Sequence, residues 1–517
     1  MIKKLLLLSC AASTLLATNG VNMIGTGTVS RSMGGTGVAF FSDGSGAMGK
    51  NVALIAEVKD SELHLDVTYF NASVSNASID NMFLNTTTAN PIYPTYSPNA
   101  SNENHLDTNF IPTVSYVSKI DDTWSWGATM TGAAGMGVDY NGEPNNGQRR
   151  FKTGMMLMKV IPAVSYRTGN TTFGFAPVLG LGSMSMNWDD SQTDSSGYRD
   201  PSQSSRKGLF GTNIGGDSLN PAFGWQAGMD IKVTEKLRIG TTYNSALKYK
   251  YKDVGNFKQF GPHGMVNMMN DFSNGALNGG DTVDQAIEGL FGPGATTDYL
   301  TRILEPILDG TVAESLEATS PNNLDDLTME QPWEVAIGFG YDLTDQVTIT
   351  GDYRYIAWGL AEGYDDFGWE NQSVYAMGFE FRPSKKFRFR GGYNYADSPL
   401  RGESGEIGTL LNDVQGSYVF NQSISMLNMV GFPAITTTHF TLGAGYDFTK
   451  NLTIDGAFMY SPEREVTRSG ALIPGASALL TSASGLPDFT IDAADMTYSY
   501  TTKMEQMTLS LGINYRF

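Results

Sequence analysis

The sequence predicts an all-β fold: a transmembrane antiparallel β-barrel of about 14 strands, with an N-terminal hatch plugging its lumen. Three observations carry this. Stretches of about ten residues alternate apolar with polar or small side chains, and short polar turns join them in pairs. Past the first seventeen positions there is no run of about 18 apolar residues, which a membrane-spanning helix would need. Composition agrees: of 517 residues only 17% are charged, 59 are glycine and 11% aromatic. Globular chains carry about 25% charged residues and about 7% glycine. The 53 Asp and Glu outnumber the 34 Lys and Arg, and no basic patch stands out, which excludes a nucleic-acid binder.

Residues 1–17 read as an export signal, with Lys3 and Lys4 before the apolar run Leu5 to Leu16 and a small Ala17 for cleavage. Loss of Lys3 and Lys4 takes the formal charge from -19 to -21, and loss of Cys10 leaves the mature chain without cysteine. Leu7-Leu8-Ser9-Cys10 has the look of a lipoprotein box, but too few apolar residues precede it.

Residues 18–60 are rich in glycine, with Gly25, Gly27, Gly34, Gly35, Gly37, Gly44, Gly46 and Gly49. Such a segment turns tightly and packs in a confined space, as a plug inside a wide barrel must. Residues 61–517 supply the barrel. The first strand holds Leu63, Leu65, Val67 and Tyr69. Six hairpins follow, with turns at Asp121-Asp122, Thr168-Gly169-Asn170, Thr234-Glu235-Lys236, Thr344-Asp345-Gln346, Pro383-Ser384-Lys385-Lys386 and Thr449-Lys450-Asn451. In the fourth hairpin Val335, Ile337, Phe339 and Tyr341 share one face, and Ala336, Gly338 and Gly340 the other. The third hairpin is expected to run Trp225 to Val233 and Leu237 to Tyr251 without a break. A last strand runs from Met507 to Phe517. Connections between hairpins are mostly long, the asymmetry of bacterial barrels. Because lipid cannot satisfy a free sheet edge, the last strand must close on the first. Aromatic residues near strand ends, such as Tyr341, Trp358 and Tyr446, suit membrane girdles. A soluble all-β protein also alternates, but it would not turn so many large apolar residues to one side with no helices to cover them. Glycines within Gly132 to Gly137, or at Gly180 and Gly182, permit an inward kink.

The stretch Arg31-Ser32-Met33-Gly34-Gly35-Thr36-Gly37-Val38-Ala39, followed by Asn51-Val52-Ala53-Leu54-Ile55, resembles the N-terminal hatch of the outer-membrane long-chain fatty acid transporter (FadL) family. The resemblance implies a fourteen-stranded barrel whose hatch, here Gly34, Gly35, Gly37, Asn51, Val52 and Ala53, blocks the lumen. That family also includes channels for aromatic hydrocarbons. Where its motif reads Asn-Pro-Ala, this chain has Val52 in place of the proline.

The connection 253–331 carries the helical patterns. Thr282 to Gln285 has capping-box form, with Ile287 and Leu290 at helical spacing behind it, and Leu300, Ile303, Leu304, Ile307 and Leu308 form a second apolar stripe. With Met265, Met268, Met269 and Phe272 these residues are candidates for a hydrophobic ligand groove, since methionine adapts to varied shapes. Alternatively the stripes pack on each other and cap the barrel. In the lumen Arg238, Arg354, Arg388 and Arg390 are candidates to bind a carboxylate, or to pair with acidic wall residues.

His64, His105, His263 and His439 show no metal-ligand spacing, and no nucleotide or nucleophile-elbow motif occurs, so neither enzyme nor cofactor nor metal is expected. The expected function is uptake of hydrophobic molecules through the bacterial outer membrane by binding and hatch-gated diffusion. Long-chain fatty acids come first and aromatic hydrocarbons second, with a non-transporting adhesin or structural barrel as the rival. Acidic outer loops would contact lipopolysaccharide, and the barrel is expected to be monomeric.

Overall fold

A computed structural model describes residues 19–80, 102–103, 108–140, 150–189, 214–255, 325–365, 367–400, 428–429, 431–471 and 497–517. The export signal and every candidate groove residue, Met265, Met268, Met269, Phe272, Ile287, Leu290, Leu300, Ile303, Leu304, Ile307 and Leu308, lie outside the described residues.

Fourteen strands form a closed antiparallel ring. They are β1 (Ser61–Asp80), β2 (Thr108–Lys119), β3 (Trp124–Tyr140), β4 (Arg150–Thr168), β5 (Thr171–Asp189), β6 (Ile214–Lys232), β7 (Leu237–Asn244), β8 (Glu334–Asp342), β9 (Val347–Ile356), β10 (Gln372–Phe381), β11 (Phe387–Ala396), β12 (Thr438–Asp447), β13 (Leu452–Ala471) and β14 (Thr497–Arg516). Each strand pairs with its neighbours in sequence, and β14 closes on β1 from Glu62↔Arg516 upward. The six turns read from the sequence gather at one end. Alternation sets the two faces: on β10, Tyr375, Met377, Phe379 and Phe381 are exposed on the outer wall, while Val374, Ala376 and Glu380 are buried within. Aromatic pairs bridge adjacent strands near the turn end, Trp124–Tyr166 with ring centroids 4.9 Å apart and Phe387–Tyr446 at 4.8 Å. A second belt runs through Trp225–Tyr243 at 5.0 Å and Trp333–Tyr355 at 5.7 Å. Rings of this kind suit the two membrane interfaces.

The third hairpin departs from the expected continuous strand. The ladder between β6 and β7 stops at Gln226↔Asn244, and Ser245 replaces it with local bonds: its N–H donates to the Trp225 carbonyl at 2.9 Å, and its hydroxyl accepts from the Trp225 N–H at 2.8 Å. Residues Leu247–Gly255 then fold inward and pair with Asp325–Gln331 as a separate two-stranded sheet, so both ends of the 253–331 connection are strand. Burial drives the turn, because Leu247, Tyr249 and Tyr251 come to lie inside the wall while Lys248 and Lys250 stay exposed. Of the two glycine-rich stretches, the first carries a bulge, between Gly132 and Ala134 on β3, whereas Gly180 and Gly182 on β5 stay in register with β4 and the shift beside them falls on β6, between Gly216 and Asn220.

Candidate functional site

Residues 19–58 occupy the barrel interior. They form helix α1 (Gly27–Ser32), helix α2 (Gly44–Lys50) and a 3-10 turn (Val52–Glu57), and nearly all are buried. Elements this short do not persist alone, so what holds them is the wall. On α1, Arg31 is 1% exposed, and its Nη1 donates to Asp66 Oδ1 on β1 at 2.9 Å and to Thr68 Oγ1 at 2.6 Å. Thr28 donates to the other oxygen of Asp66.

Gly34 and Gly35 both take left-handed backbone, with φ of 69° and 79°. The Gly34 N–H donates to Thr441 Oγ1 at 2.8 Å, and its carbonyl accepts from Asn394 Nδ2 at 3.0 Å. A Cβ on Gly34 would stand closer than 3.0 Å to backbone atoms of Met377 and Tyr393 on the wall. Asp352 on β9 accepts from the N–H groups of Gly37 at 2.8 Å and Val38 at 3.1 Å. Asp43 caps α2, accepting from the Gly46 N–H at 2.8 Å, and burial raises its carboxyl above the ordinary range against the pull of His64.

Asn51 caps the 3-10 turn through Oδ1, which accepts from the Ala53 N–H at 3.1 Å, and its Nδ2 donates to the carbonyls of Val38 and Met229 at 2.7 and 3.0 Å. Gly174 and Gly228 make room, since a Cβ on either would collide with Asn51, Val52 or Ala53. Val52 starts the turn and is fully buried. At the turn's far end Glu57 pairs with Arg167, with Arg238 at 2.9 Å and with Lys232 at 3.4 Å. Burial opposes ionisation of Glu57, yet the Arg238 hydrogen bond and the surrounding cations hold its carboxyl below the usual range.

The four lumen arginines sit on inward faces. Arg238 meets Glu57 and Asp230, Arg354 meets Glu334 at 3.3 Å, Arg388 grips Asp447 through two bonds of 2.8 and 2.7 Å, and Arg390 bridges Glu380 and Asp455 at 2.7 Å each. Arg354 and Glu334 also line a small cavity of about 30 Å³ between α2 and strands β7 to β11, together with Lys50, Asp352, Asn244 and Asn394. Burial and the nearby Arg354 push the Lys50 ammonium down to about 8.

The wall has a seam. β2 pairs with β3 only from Lys119↔Ser125 to Thr113↔Thr131, and above that Ala133 bulges out of register. The segment's first residues cover the β3 edge left there: the Met23 N–H donates to the Ala133 carbonyl at 3.2 Å, and the Gly135 N–H to that of Val21 at 3.0 Å. The Asn22 side chain between them donates to Glu334 at 2.8 Å and accepts from Gln331 at 3.1 Å. Phe70, Val74, Met136 and Val138 are buried in the same apolar cluster as Val21 and Met23.

On the side away from the six turns lies an aromatic layer that includes Trp358, which the sequence reading placed in a membrane girdle and which is instead fully buried inside the wall. Trp358, Tyr364 and Trp369, from the short connection between β9 and β10, pack edge to face with centroids 4.7 to 5.0 Å apart. Trp358 rests on Gly20, where a Cβ would come 2.9 Å from the ring. Met155, Met329, Met429 and Phe432 belong to the same buried cluster. Three large aromatics in so short a connection were the available signal, because a solvated turn would not carry them.

Comparison with known proteins fits this architecture. Over 543 residues the chain is 20% identical to outer membrane protein P1 of Haemophilus influenzae, covering 98% of each. Its fold matches the Pseudomonas putida toluene transporter TodX with a TM-score of 0.55 at 15% identity, over 97% of this chain and 100% of that one. A Pseudomonas aeruginosa FadL homologue matches with a TM-score of 0.56 at 16% identity, over 96% and 99%. The profile of outer membrane protein transport proteins (OMPP1/FadL/TodX) matches residues 7–408, and with a closed fourteen-strand wall around a buried N-terminal segment the chain belongs to that bacterial outer-membrane family.

Proposed function

We propose that this barrel takes up long-chain fatty acids by binding and diffusion, with residues 18–60 as the hatch that gates it. The observation that carries the reading is the arrangement of the interior. A Met- and Trp-rich apolar layer lies over the glycine-rich segment that fills the lumen, and the seam at the Ala133 bulge is closed by that same segment through Val21 and Met23. A greasy molecule gains by entering such a layer, and displacement of residues 19–23 would leave it a path through the seam or past the hatch. No nucleotide or covalent step is called for. The candidate groove of the 253–331 connection remains the proposed landing surface, and the protein is proposed to act as a monomer in contact with lipopolysaccharide.

The Trp358–Tyr364–Trp369 cluster favours a second reading, uptake of aromatic hydrocarbons, because rings pack well against rings. The toluene transporters among the related folds support it. Uptake of radiolabelled long-chain fatty acid, and separately of toluene, into vesicles carrying the purified barrel decides between them. Saturable fatty-acid uptake supports the first reading and saturable uptake of toluene alone the second. Uptake of neither overturns both.

A further inference from the structure

The inward-folded strand Leu247–Gly255 carries two groups that the wall does not explain. Its outer face is ordinary, with Lys248 held by Glu330 at 3.1 Å and Glu362 at 3.0 Å. Its inner face presents Tyr249 and Tyr251, each 1% exposed, and neither phenol oxygen has a hydrogen-bond partner among the described residues. A third phenol, Tyr364, reaches only a weak acceptor, Met155 Sδ at 3.4 Å. A buried donor left unmade is a net cost to the fold, and nearly all such groups in proteins find partners. Two of them side by side in an apolar layer therefore point to an acceptor that the described residues do not supply.

The wall is shaped to keep one of them in place. Gly180 and Gly182 on β5 leave a bare strip of backbone, and a Cβ on either would stand closer than 3.0 Å to the Tyr249 side chain. Tyr249 and Tyr251 lie two residues apart on one strand, so their side chains rise about 6.6 Å from each other on the same face. With O–H···O bonds of about 2.7 Å, one carboxyl group between them can accept from both. Burial pushes both phenols above their ordinary pKa, so they remain neutral donors. The lumen arginines, in contrast, already hold wall carboxylates, so a ligand would have to break those pairs to use them.

We propose that Tyr249 and Tyr251 form a two-donor subsite for the oxygen head group of an amphipathic ligand, a long-chain carboxylic acid whose tail lies in the layer of Met155, Met329 and Trp358. The proposal rests on the transport reading above and narrows its substrate class. A plain hydrocarbon has no acceptor to offer, leaves both hydroxyls unmade, and is disfavoured at this site. The arginine candidates then serve the wall, and head-group recognition falls to neutral donors.

The test is binding of radiolabelled oleate, and of a hydrocarbon of the same chain length, to the full-length barrel in detergent. Wild type is compared with Tyr249→Phe, Tyr251→Phe and the double variant. Phenylalanine keeps the ring and its packing, so folding is preserved and is checked by the heat-resistant barrel mobility on a gel. Each lost hydroxyl is expected to weaken oleate binding about tenfold while leaving the hydrocarbon unchanged. Equal oleate affinity in wild type and the double variant overturns the subsite and leaves the transport reading standing. Equal loss for oleate and hydrocarbon also overturns it, because only packing would then have changed. Saturable binding of neither ligand by wild type overturns both the subsite and the transport reading.

Discussion

Replacing Asp66 with asparagine should release the first half of the hatch. Arg31 and Asp66 are 1% and 0% exposed and 2.9 Å apart, and Asp66 also accepts from Thr28. Asparagine keeps the shape but removes the charge, and leaves a buried guanidinium without its counter-ion. Breaking one side of a buried pair costs about 3–5 kcal/mol. The strands of β1 do not depend on this pair, since their ladders with β2 and β14 run through Asp66 regardless of its side chain. The cost therefore falls on docking of α1. At the low end, about 3 kcal/mol raises the displaced population more than a hundredfold at 1.36 kcal/mol per decade. Hydrogen exchange in detergent should show the amides of residues 27–37 exchanging about a hundred times faster, with β1 and β14 unchanged. Planar-bilayer recordings should show openings absent from wild type. Replacing both partners, Arg31→Met with Asp66→Leu, should restore much of the protection, because a buried pair exchanged for apolar groups is often neutral. Unchanged exchange in Asp66→Asn would refute the claim that this pair holds the hatch.

Three further outcomes follow from the same geometry. Gly34→Ala places a Cβ against Met377 and Tyr393 at a left-handed φ of 69°, and should cost about 1–3 kcal/mol, read as faster exchange of the hatch and a lower melting temperature. Val52→Pro should be tolerated and stabilise by about 0.4–1 kcal/mol: Val52 opens the 3-10 turn, and Asn51 before it is already extended at φ -147° and ψ 103°, as a residue preceding proline must be. A fall in melting temperature for that variant would contradict this. The Glu57 latch should depend on pH in one direction. Its carboxyl is held below the ordinary value of 4.5, so its contribution is fully present above that pH and is lost only as pH falls below it. Glu57→Gln should abolish that acid-side transition in protease protection of residues 50–58.

Much of this molecule was legible before the fold was seen. Alternation with period two is a local property, so hairpins such as Glu334–Asp342 with Val347–Ile356 could be read almost to the residue. The glycine stretch at 132–137 marked the place where β3 leaves register. Burial of residues 19–58 suits their composition, because a glycine-rich arm can approach a wall that itself has glycine at 174, 228 and 392. What could not be read depends on register around the closed ring. Nothing near Arg31 in the sequence names Asp66, and nothing near Asn22 names Glu334, more than three hundred residues away. The inward fold after Asn244 was missed for a related reason: Leu247, Tyr249 and Tyr251 continue the alternation perfectly, and only the burial available beside Gly180 and Gly182 turns them off the wall.

Uptake as proposed requires the hatch to move, and a chain whose sole cysteine is Cys10 leaves every other position open to an engineered pair. The hydroxyls of Ser45 on α2 and Ser115 on β2 are 2.8 Å apart. In Ser45→Cys/Ser115→Cys a disulfide would tie the hatch to the wall reversibly. Uptake of radiolabelled long-chain fatty acid into vesicles should fall to the protein-free rate when the barrel is oxidised, and return on reduction. Equal uptake in the oxidised and reduced states would contradict the hatch as the gate.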